Sequence, residues 1–279
     1  MSQRGMVRVL DRIRLLALTA VFVTGGALPA LAQYSPPSSP PFGENYHVEA
    51  SYGWWNAEPS LVVNSESLGI PGTDVDLVED LGIEKKKLGR LNVVLRPAVK
   101  HKFRFEYLPI KYEAETTLAR QFIFNGQLYR VGLPVNTEAT FKTYRFGYEY
   151  DFIHRTRGFA GVLLDVKYTD VRVEIASPLA EPEFTTAVAP IPTIGFVARG
   201  YVAKNFAIGG EISFFRVPDN ISEDYDGEYT DFDIYGTVNF TENIGATTGY
   251  RSVDVFYKAD RDTGALKFTG LYLVGVVRF

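Results

Sequence analysis

From Asn45 to the last residue, apolar and polar residues alternate with a period of two. No window there sustains a 3.6-residue apolar period over three turns. Successive side chains of a strand point to opposite faces, so this pattern admits sheet and excludes helix over nearly the whole chain. Gly, Pro, Asn and Asp punctuate it into ten predicted strands: 45–57, 85–96, 101–124, 127–151, 158–174, 191–203, 206–217, 229–240, 244–258 and 265–279. Most are ten residues or longer, against the five or six usual in globular proteins. A tilted strand needs about 9–11 residues to cross a bilayer. The length therefore predicts an all-β fold: a transmembrane antiparallel up-and-down β-barrel of ten strands, with eight or twelve as the other even counts.

The connections support the same reading. Segments 97–100, 152–157, 204–205 and 241–243 are short, whereas 58–84, 176–190, 218–228 and 259–264 are longer. Short turns alternating with long loops is the pattern of membrane barrels. Both termini fall on the short-turn side, which requires an even strand number.

Each predicted strand has one apolar and one polar face. Leu271, Leu273, Gly275, Val277 and Phe279 share a face, as do Tyr46, Val48, Ala50, Tyr52 and Trp54, which alternate with His47, Glu49, Ser51 and Gly53. Val162, Leu164, Val166 and Tyr168 alternate with Gly161, Asp165, Lys167 and Thr169. A soluble sandwich buries the apolar face, whereas a barrel in lipid turns it outward. Mean hydropathy is only −0.04 because the two faces cancel. That value excludes a multi-span helical membrane protein and leaves a barrel open. A formal charge of −4 argues against nucleic acid as a partner, and the absence of cysteine excludes disulfides, zinc–thiolate and iron–sulfur sites.

Asn125-Gly126 is the strongest two-residue turn signal in the chain. Folding the flanking runs about it sets Glu106 against Arg145, Lys102 against Glu149 and Arg104 against Gly147. On the other face it sets Phe103 against Tyr148, Phe105 against Phe146 and Tyr107 against Tyr144. A one-residue slip would turn the charges to lipid. The two long strands are expected to project well beyond the bilayer.

The N-terminus reads as an export signal. Arg4, Arg8, Arg12 and Arg14 precede an apolar run over 15–23, Gly25, Gly26 and Pro29 break it, and Ala30-Leu31-Ala32 has the form of a cleavage site. An uncleaved anchor over 15–32 is the competing reading. Cleavage after Ala32 would remove four arginines and Asp11 and take the charge from −4 to −7. Residues 33–44, rich in Pro and Ser, read as a mobile periplasmic tether, with the barrel as the single domain 45–279.

The strand grammar and the closing run LKFTGLYLVGVVRF, ending on Phe279, resemble bacterial outer-membrane β-barrels of the small OmpA/OmpX-like superfamily. The segments VEDLGIEKKKLGRLNVVLRP and HKFRFEYLPIKY are similar to stretches of barrels from Gram-negative bacteria. The resemblance implies an outer-membrane location, a final strand with Phe279 read as the assembly signal by the barrel-assembly machinery, escort by periplasmic chaperones, and contact with outer-membrane lipid and lipopolysaccharide. It supplies no activity.

The polar faces give a charged lumen list: Glu49, Arg90, Arg96, Arg104, Glu106, Arg145, Glu149, Asp165, Lys167, Arg199, Glu211, Asp231, Asp233 and Arg251. Interiors of small barrels are just wide enough for side chains, so near-balanced signs predict a closed, paired network in a monomeric structural or surface-interaction protein. A narrow porin-like channel for small solutes is one alternative. An outer-membrane enzyme acting on lipid or peptide is the second. Small barrel enzymes, such as omptin-like proteases and lipid A acyltransferases or deacylases, work near the outer rim. Here His47, His101 and His154 all fall at the opposite end, so no catalytic residue and no cofactor is expected; Asp231 with Asp233 is the remaining carboxylate pair. The loops are acidic: Glu58, Glu66, Asp74, Asp76, Glu79, Asp80 and Glu84 in one, and Asp224, Asp226 and Glu228 as a weak metal-ligand set in another. The order Asp-Tyr-Asp-Gly at 224–227 departs from EF-hand spacing. Lys85, Lys86 and Lys87, at the re-entry of the second strand, are candidates for lipopolysaccharide phosphate contact or a plain solvated run.

Overall fold

The computed structural model describes residues 41–67, 69–177, 180–217, 225–259 and 262–279. The predicted signal over 1–32 and most of the tether lie outside the described residues. Ten strands build the barrel: β1 (Val48–Asn64), β2 (Lys86–Ala98), β3 (His101–Thr117), β4 (Pro134–Arg155), β5 (Gly158–Ser177), β6 (Ala180–Ala203), β7 (Phe206–Arg216), β8 (Tyr225–Asn239), β9 (Ile244–Ala259) and β10 (Asp262–Arg278). Each pairs antiparallel with its neighbours in sequence, and β1 pairs with β10 to close the wall. A two-residue strand, Val75–Asp76, adds to β1, and a small hairpin joins Phe122–Phe124 to Gln127–Tyr129.

The register predicted from Asn125-Gly126 is the observed one. Glu106 faces Arg145, Lys102 faces Glu149 and Arg104 faces Gly147. The outward aromatic pairs Phe103–Tyr148, Phe105–Phe146 and Tyr107–Tyr144 have ring centroids 5.7, 5.3 and 4.8 Å apart. The turn uses positive φ at both central residues, 49° at Asn125 and 80° at Gly126, the geometry of a type I′ hairpin.

Below the level of Tyr107, Tyr144 and Tyr168, which stand side by side across β3, β4 and β5, the outward face is apolar and the inward face charged. Phe146 is 57% exposed and Leu271 66%, whereas Lys102 is 1%. Above that level both faces invert. On β5 the inward sequence Asp165, Lys167, Thr169 gives way to buried Val171, Val173 and Ile175, while the outward Leu164, Val166, Tyr168 gives way to Asp170, Arg172 and Glu174. On β3 the inward Lys102, Arg104, Glu106 becomes Leu108, Ile110, Tyr112, and the outward aromatics become Lys111, Glu113 and Glu115. The apolar outward band on β4 runs over 144–152, the length a tilted strand needs to cross a bilayer. One wall thus carries two patterns: polar-in and apolar-out, which suits a barrel in lipid, and apolar-in and polar-out, which suits one in water.

Beyond the girdle the wall also divides. Pairing of β2 with β3 stops at Leu91–Tyr107 and pairing of β6 with β7 at Ile194–Phe214 among the described residues. The two resulting sheets pack across the interior: the Tyr112 ring stacks 6.3 Å from Phe268, and Phe141 lies 5.2 Å from it. The Tyr112 hydroxyl donates to the Ala57 carbonyl at 3.2 Å. Leu77, Leu81 and Ile83 from 65–85, with Leu118, Phe122, Phe124 and Tyr129 from 118–133, complete this apolar cap.

Three sequence expectations change. The two longest predicted strands do not run straight to the turn. Residues 118–121 and 130–133 leave the ladder, and the tip folds inward because its apolar side chains find an apolar interior. The long loop expected over 176–190 is instead largely strand, since β6 begins at Ala180 and pairs with β5. Pro182 and Pro190 lie in that segment; Pro190 and Pro192 share parity, so their missing N–H groups fall on one edge. Over that stretch β6 has no second partner among the described residues, and an edge tolerates proline. Finally, the end of the expected tether, 41–44, is docked. Phe42 donates to the Lys204 carbonyl at 2.8 Å and its own carbonyl accepts from Asn239 at 2.7 Å.

Candidate functional site: the charged lumen and its two closures

Alternation along each strand sends every second side chain inward, and the short turns hold these rows at one height. The result is a buried, ion-paired interior. Glu106 on β3 sits at its centre. It accepts from Arg90 Nε at 2.7 Å and from Arg251 Nη1 and Nη2 at 2.5 and 3.0 Å. Arg145 lies 3.9 Å away and reaches Asp165 at 2.6 Å and Glu211 at 2.5 Å. Arg251 also binds Asp231, through Nε at 3.0 Å and Nη2 at 2.9 Å. Lys167 bridges Asp231 at 3.0 Å and the Ser213 hydroxyl at 2.7 Å. Nearer the termini, Arg104 joins Glu149 at 3.0 Å to Glu211 at 2.9 Å. Lys102 lies between Glu149 at 2.6 Å and Asp151 at 2.9 Å, and Arg278 holds Glu49 at 2.5 Å.

Arg90, Lys102, Arg104, Arg145, Lys167, Arg199, Arg251 and Arg278 thus face Glu49, Glu106, Glu149, Asp151, Asp165, Glu211, Asp231 and Asp233, an equal number of cations and carboxylates among the described residues. Balance of this kind is what lets charge stay buried, since an unpaired ion in low dielectric is far more costly than a paired one.

Every residue of the expected lumen list points inward, and all but one enter this network. The exception is Arg96, which serves the closure at the termini end. Its Nη1 donates to the Glu44 carbonyl at 2.6 Å, and its Nε and Nη2 donate to the Val99 carbonyl at 3.3 and 3.1 Å. Residues 41–47 cross that mouth as a strap. Gly43, at φ +78°, packs so closely that a Cβ would collide with the Arg278 guanidinium and crowd Asn239. Tyr46 is buried beneath the Arg96 and Arg278 guanidiniums, 5.3 and 5.9 Å from its ring. Sequence reasoning placed Lys102 inside, opposite Glu149, but left it off the lumen list, and it missed Asp151 and Arg278 as members. All three were legible by parity: Lys102 alternates with Phe103, Asp151 continues the row of Glu149, and Arg278 lies between Val277 and Phe279.

The carboxylates of Asp231 and Asp233 are separately occupied. Asp231 is held by Arg251 and Lys167, and Asp233 by Arg90 at 3.2 Å and the Tyr272 hydroxyl at 2.9 Å. The histidines lie at the termini end: His47 Nδ1 is 3.3 Å from the Arg96 carbonyl and His101 Nδ1 is 2.6 Å from the Tyr148 hydroxyl. Burial and the neighbouring Arg96 charge lower the pKa of His154. Of the acidic set in the loop before β8, Asp224 lies outside the described residues. Asp226 accepts from the Gly227 N–H at 2.7 Å, and Glu228 faces Arg216 across β7. Among the described residues no group of three or more His, Cys, Asp or Glu side chains is placed to hold a metal ion. Lys85, Lys86 and Lys87 are exposed, and Lys87 stands opposite Asn56, one outward step above Trp54. Phe279 is 72% exposed, and its backbone joins the start of β1, with its N–H donating to the Val48 carbonyl at 2.9 Å.

The far-end closure is the apolar cap. Arg120 fastens its two inserts together, donating through Nε to Asp80 Oδ1 at 2.5 Å, through Nη2 to Asp80 Oδ2, and through Nη2 to the Asp74 carbonyl at 2.8 Å. Partial burial pushes the Asp80 carboxyl up. The Arg120 hydrogen bonds, the Asp76 N–H and the Arg120 charge outweigh it, leaving the pKa below the ordinary value.

No family model and no curated protein sequence matches the chain. Among solved structures it is similar to the outer membrane protease OmpT from Escherichia coli, at 7% identity and a TM-score of 0.58, covering 87% of this chain and 99% of that one. It also aligns with the Pseudomonas putida toluene transporter TodX, at 9% identity, TM-score 0.35, and 92% and 94% coverage. A third match is Ail, the attachment invasion locus protein of Yersinia pestis, at 8% identity, TM-score 0.36, and 82% and 99% coverage. Only the first passes 0.5, and at 7% identity it speaks to the fold alone. In fold, this chain is a closed, ten-stranded, up-and-down antiparallel β-barrel.

Proposed function

We propose that the protein is an integral outer-membrane barrel with a closed lumen, serving a structural or surface-interaction role, its termini end in the periplasm and its capped end at the cell surface. The observation that carries this reading is the inversion of both faces at the Tyr107–Tyr144–Tyr168 level. Apolar outward residues below it suit lipid and charged ones above it suit water, so the capped half stands clear of the bilayer. Closure is supported by three barriers in series: the 41–47 strap, the paired charges and the apolar cap. The placement of all three histidines at the termini end supports leaving catalysis out of the reading. Lys85, Lys86 and Lys87, just above the aromatic band, suit phosphates of outer-leaflet glycolipid. The exposed Phe279 at the end of the closing strand suits recognition by the assembly machinery, with export by the N-terminal signal, and the barrel is taken to be monomeric.

The chain has no cysteine, so single cysteines report orientation cleanly. Leu128→Cys, at the cap hairpin, is expected to react with a membrane-impermeant maleimide on intact cells, and Thr156→Cys only after the outer membrane is permeabilised. Reaction of both on intact cells, or of neither, would contradict the orientation. Purified protein in planar bilayers is expected to give no steady openings; a stable conductance would favour a narrow channel instead.

A further inference from the structure

Charge is matched overall in the lumen, but one carboxylate at its termini end, Glu49, serves two cations. Glu49 is held by Arg278, whose Nη1 otherwise binds only the neutral Asn239 at 2.8 Å. The same carboxylate oxygen is the nearest anion to Arg199, at 3.7 Å from Nη1, too long for a hydrogen bond. Two guanidiniums therefore share one carboxylate. Arg199 Nε and Nη1 are buried and make no hydrogen bond, and neither does the buried Nε of Arg104. Such orphaned donors are uncommon in a native interior.

Both arginines line one cavity of about 60 Å³, together with Tyr46 of the strap, Phe159 and Tyr235. On this scale a water molecule needs ~10–15 Å³, so the cavity has room for one small ion with a water or two. The carboxylates that also line it are engaged elsewhere: Glu149 by Lys102 and Arg104, Glu211 by Arg104 and Arg145, Asp233 by Arg90. The unmet hydrogen-bonding capacity of Arg199 and Arg104 is therefore all donor and all cationic.

We propose that this cavity binds one small monovalent anion, a halide or an oxyanion of formate size, on the free N–H groups of Arg199 and Arg104. A cation would meet unpaired guanidinium, and a dianion would add excess negative charge beside four lining carboxylates. Water alone would satisfy the donors but leave the shared Glu49 facing two arginines.

The full-length protein, purified in detergent micelles, is tested with chloride and bromide. Chloride-35 resonance is expected to broaden in its presence, formate is expected to compete the broadening away, and Arg199→Gln is expected to reduce it at least tenfold. Lys111→Gln, a surface cation, is expected to leave it unchanged. Heat-modifiable gel mobility reports that each variant is folded. Independently, crystals grown in bromide are expected to show an anomalous peak in the cavity beside Arg199. Equal broadening by wild type and folded Arg199→Gln, or a cavity without an anomalous peak, overturns the proposal in favour of water alone. The diffraction measurement needs no variant, so it decides even if Arg199→Gln fails to fold.

Discussion

At the scale of single residues, Glu106 carries the most in the lumen. It is the partner shared by Arg90, Arg251 and, more distantly, Arg145. Removing one member of a buried pair strands the other, at a cost of roughly 3–5 kcal/mol. Glu106→Ala is therefore expected to lower the stability of the refolded barrel by about that amount, read as a lower urea midpoint in micelles. A midpoint within error of wild type would mean that the network is redundant at its centre. In the cap, Asp80 gives a different readout. Its folded pKa is depressed, so the contribution of the Arg120 latch is complete above the unfolded carboxylate value of about 3.9. It is lost as pH falls from there through the lower folded pKa. Hydrogen exchange of the cap hairpin is expected to be flat, after correction for intrinsic rates, from pH 7 to about pH 5 and to accelerate below about pH 4. Arg120→Ala is expected to remove that step.

At the scale of elements, β5 states both environments in one strand. Leu164 points outward at mid-band and Arg172 points outward two steps above Tyr168. Leu164→Arg is expected to destabilise the barrel by about 2–4 kcal/mol, the cost of a cation at the bilayer midplane. Arg172→Leu, on the same face of the same strand, is expected to change stability by no more than about 0.5 kcal/mol. Equal effects at the two positions would place the membrane boundary elsewhere. The alternation that identified these strands is local and so was fully legible in the sequence, as was the register set by Asn125-Gly126. The inversion was also written there, in the change from Asp165 and Lys167 to Val171 and Val173, but a period-two reading assigns faces without saying which is inside. That choice depends on what lies opposite. Here it is Phe268 on β10 and Leu77 from the loop after β1, nearly a hundred residues or more away in sequence. The strand at 180–190 was hidden for a related reason: proline is a breaker only where its N–H is needed, and whether an edge is paired is a property of the sheet.

At the scale of the whole molecule, the three closures lie in series, and a path blocked in series opens only when every block is removed along one line. The cap and the charge network are built from different physics. The cap is apolar side chains from 118–133 packed between two sheets, and the network is paired charge at the level of Glu106 and Arg251. Shortening the cap hairpin to a tight turn is expected to leave planar-bilayer conductance at zero, because the charges below still fill the lumen. The pair Glu106→Ala with Arg251→Ala, which keeps the buried charges balanced and leaves Arg90 on Asp233 and Asp231 on Lys167, is likewise expected to conduct nothing beneath an intact cap. Openings are expected only when both changes are combined, and then only in moments when the strap is displaced. They should be brief, since the strap over 41–47 still crosses the other mouth through Phe42, Gly43 and Glu44. Conductance from the shortened hairpin alone would mean that the charged layer yields to solvent once the apolar layer is gone. The cap would then be the gate of a channel, not the roof of a closed barrel.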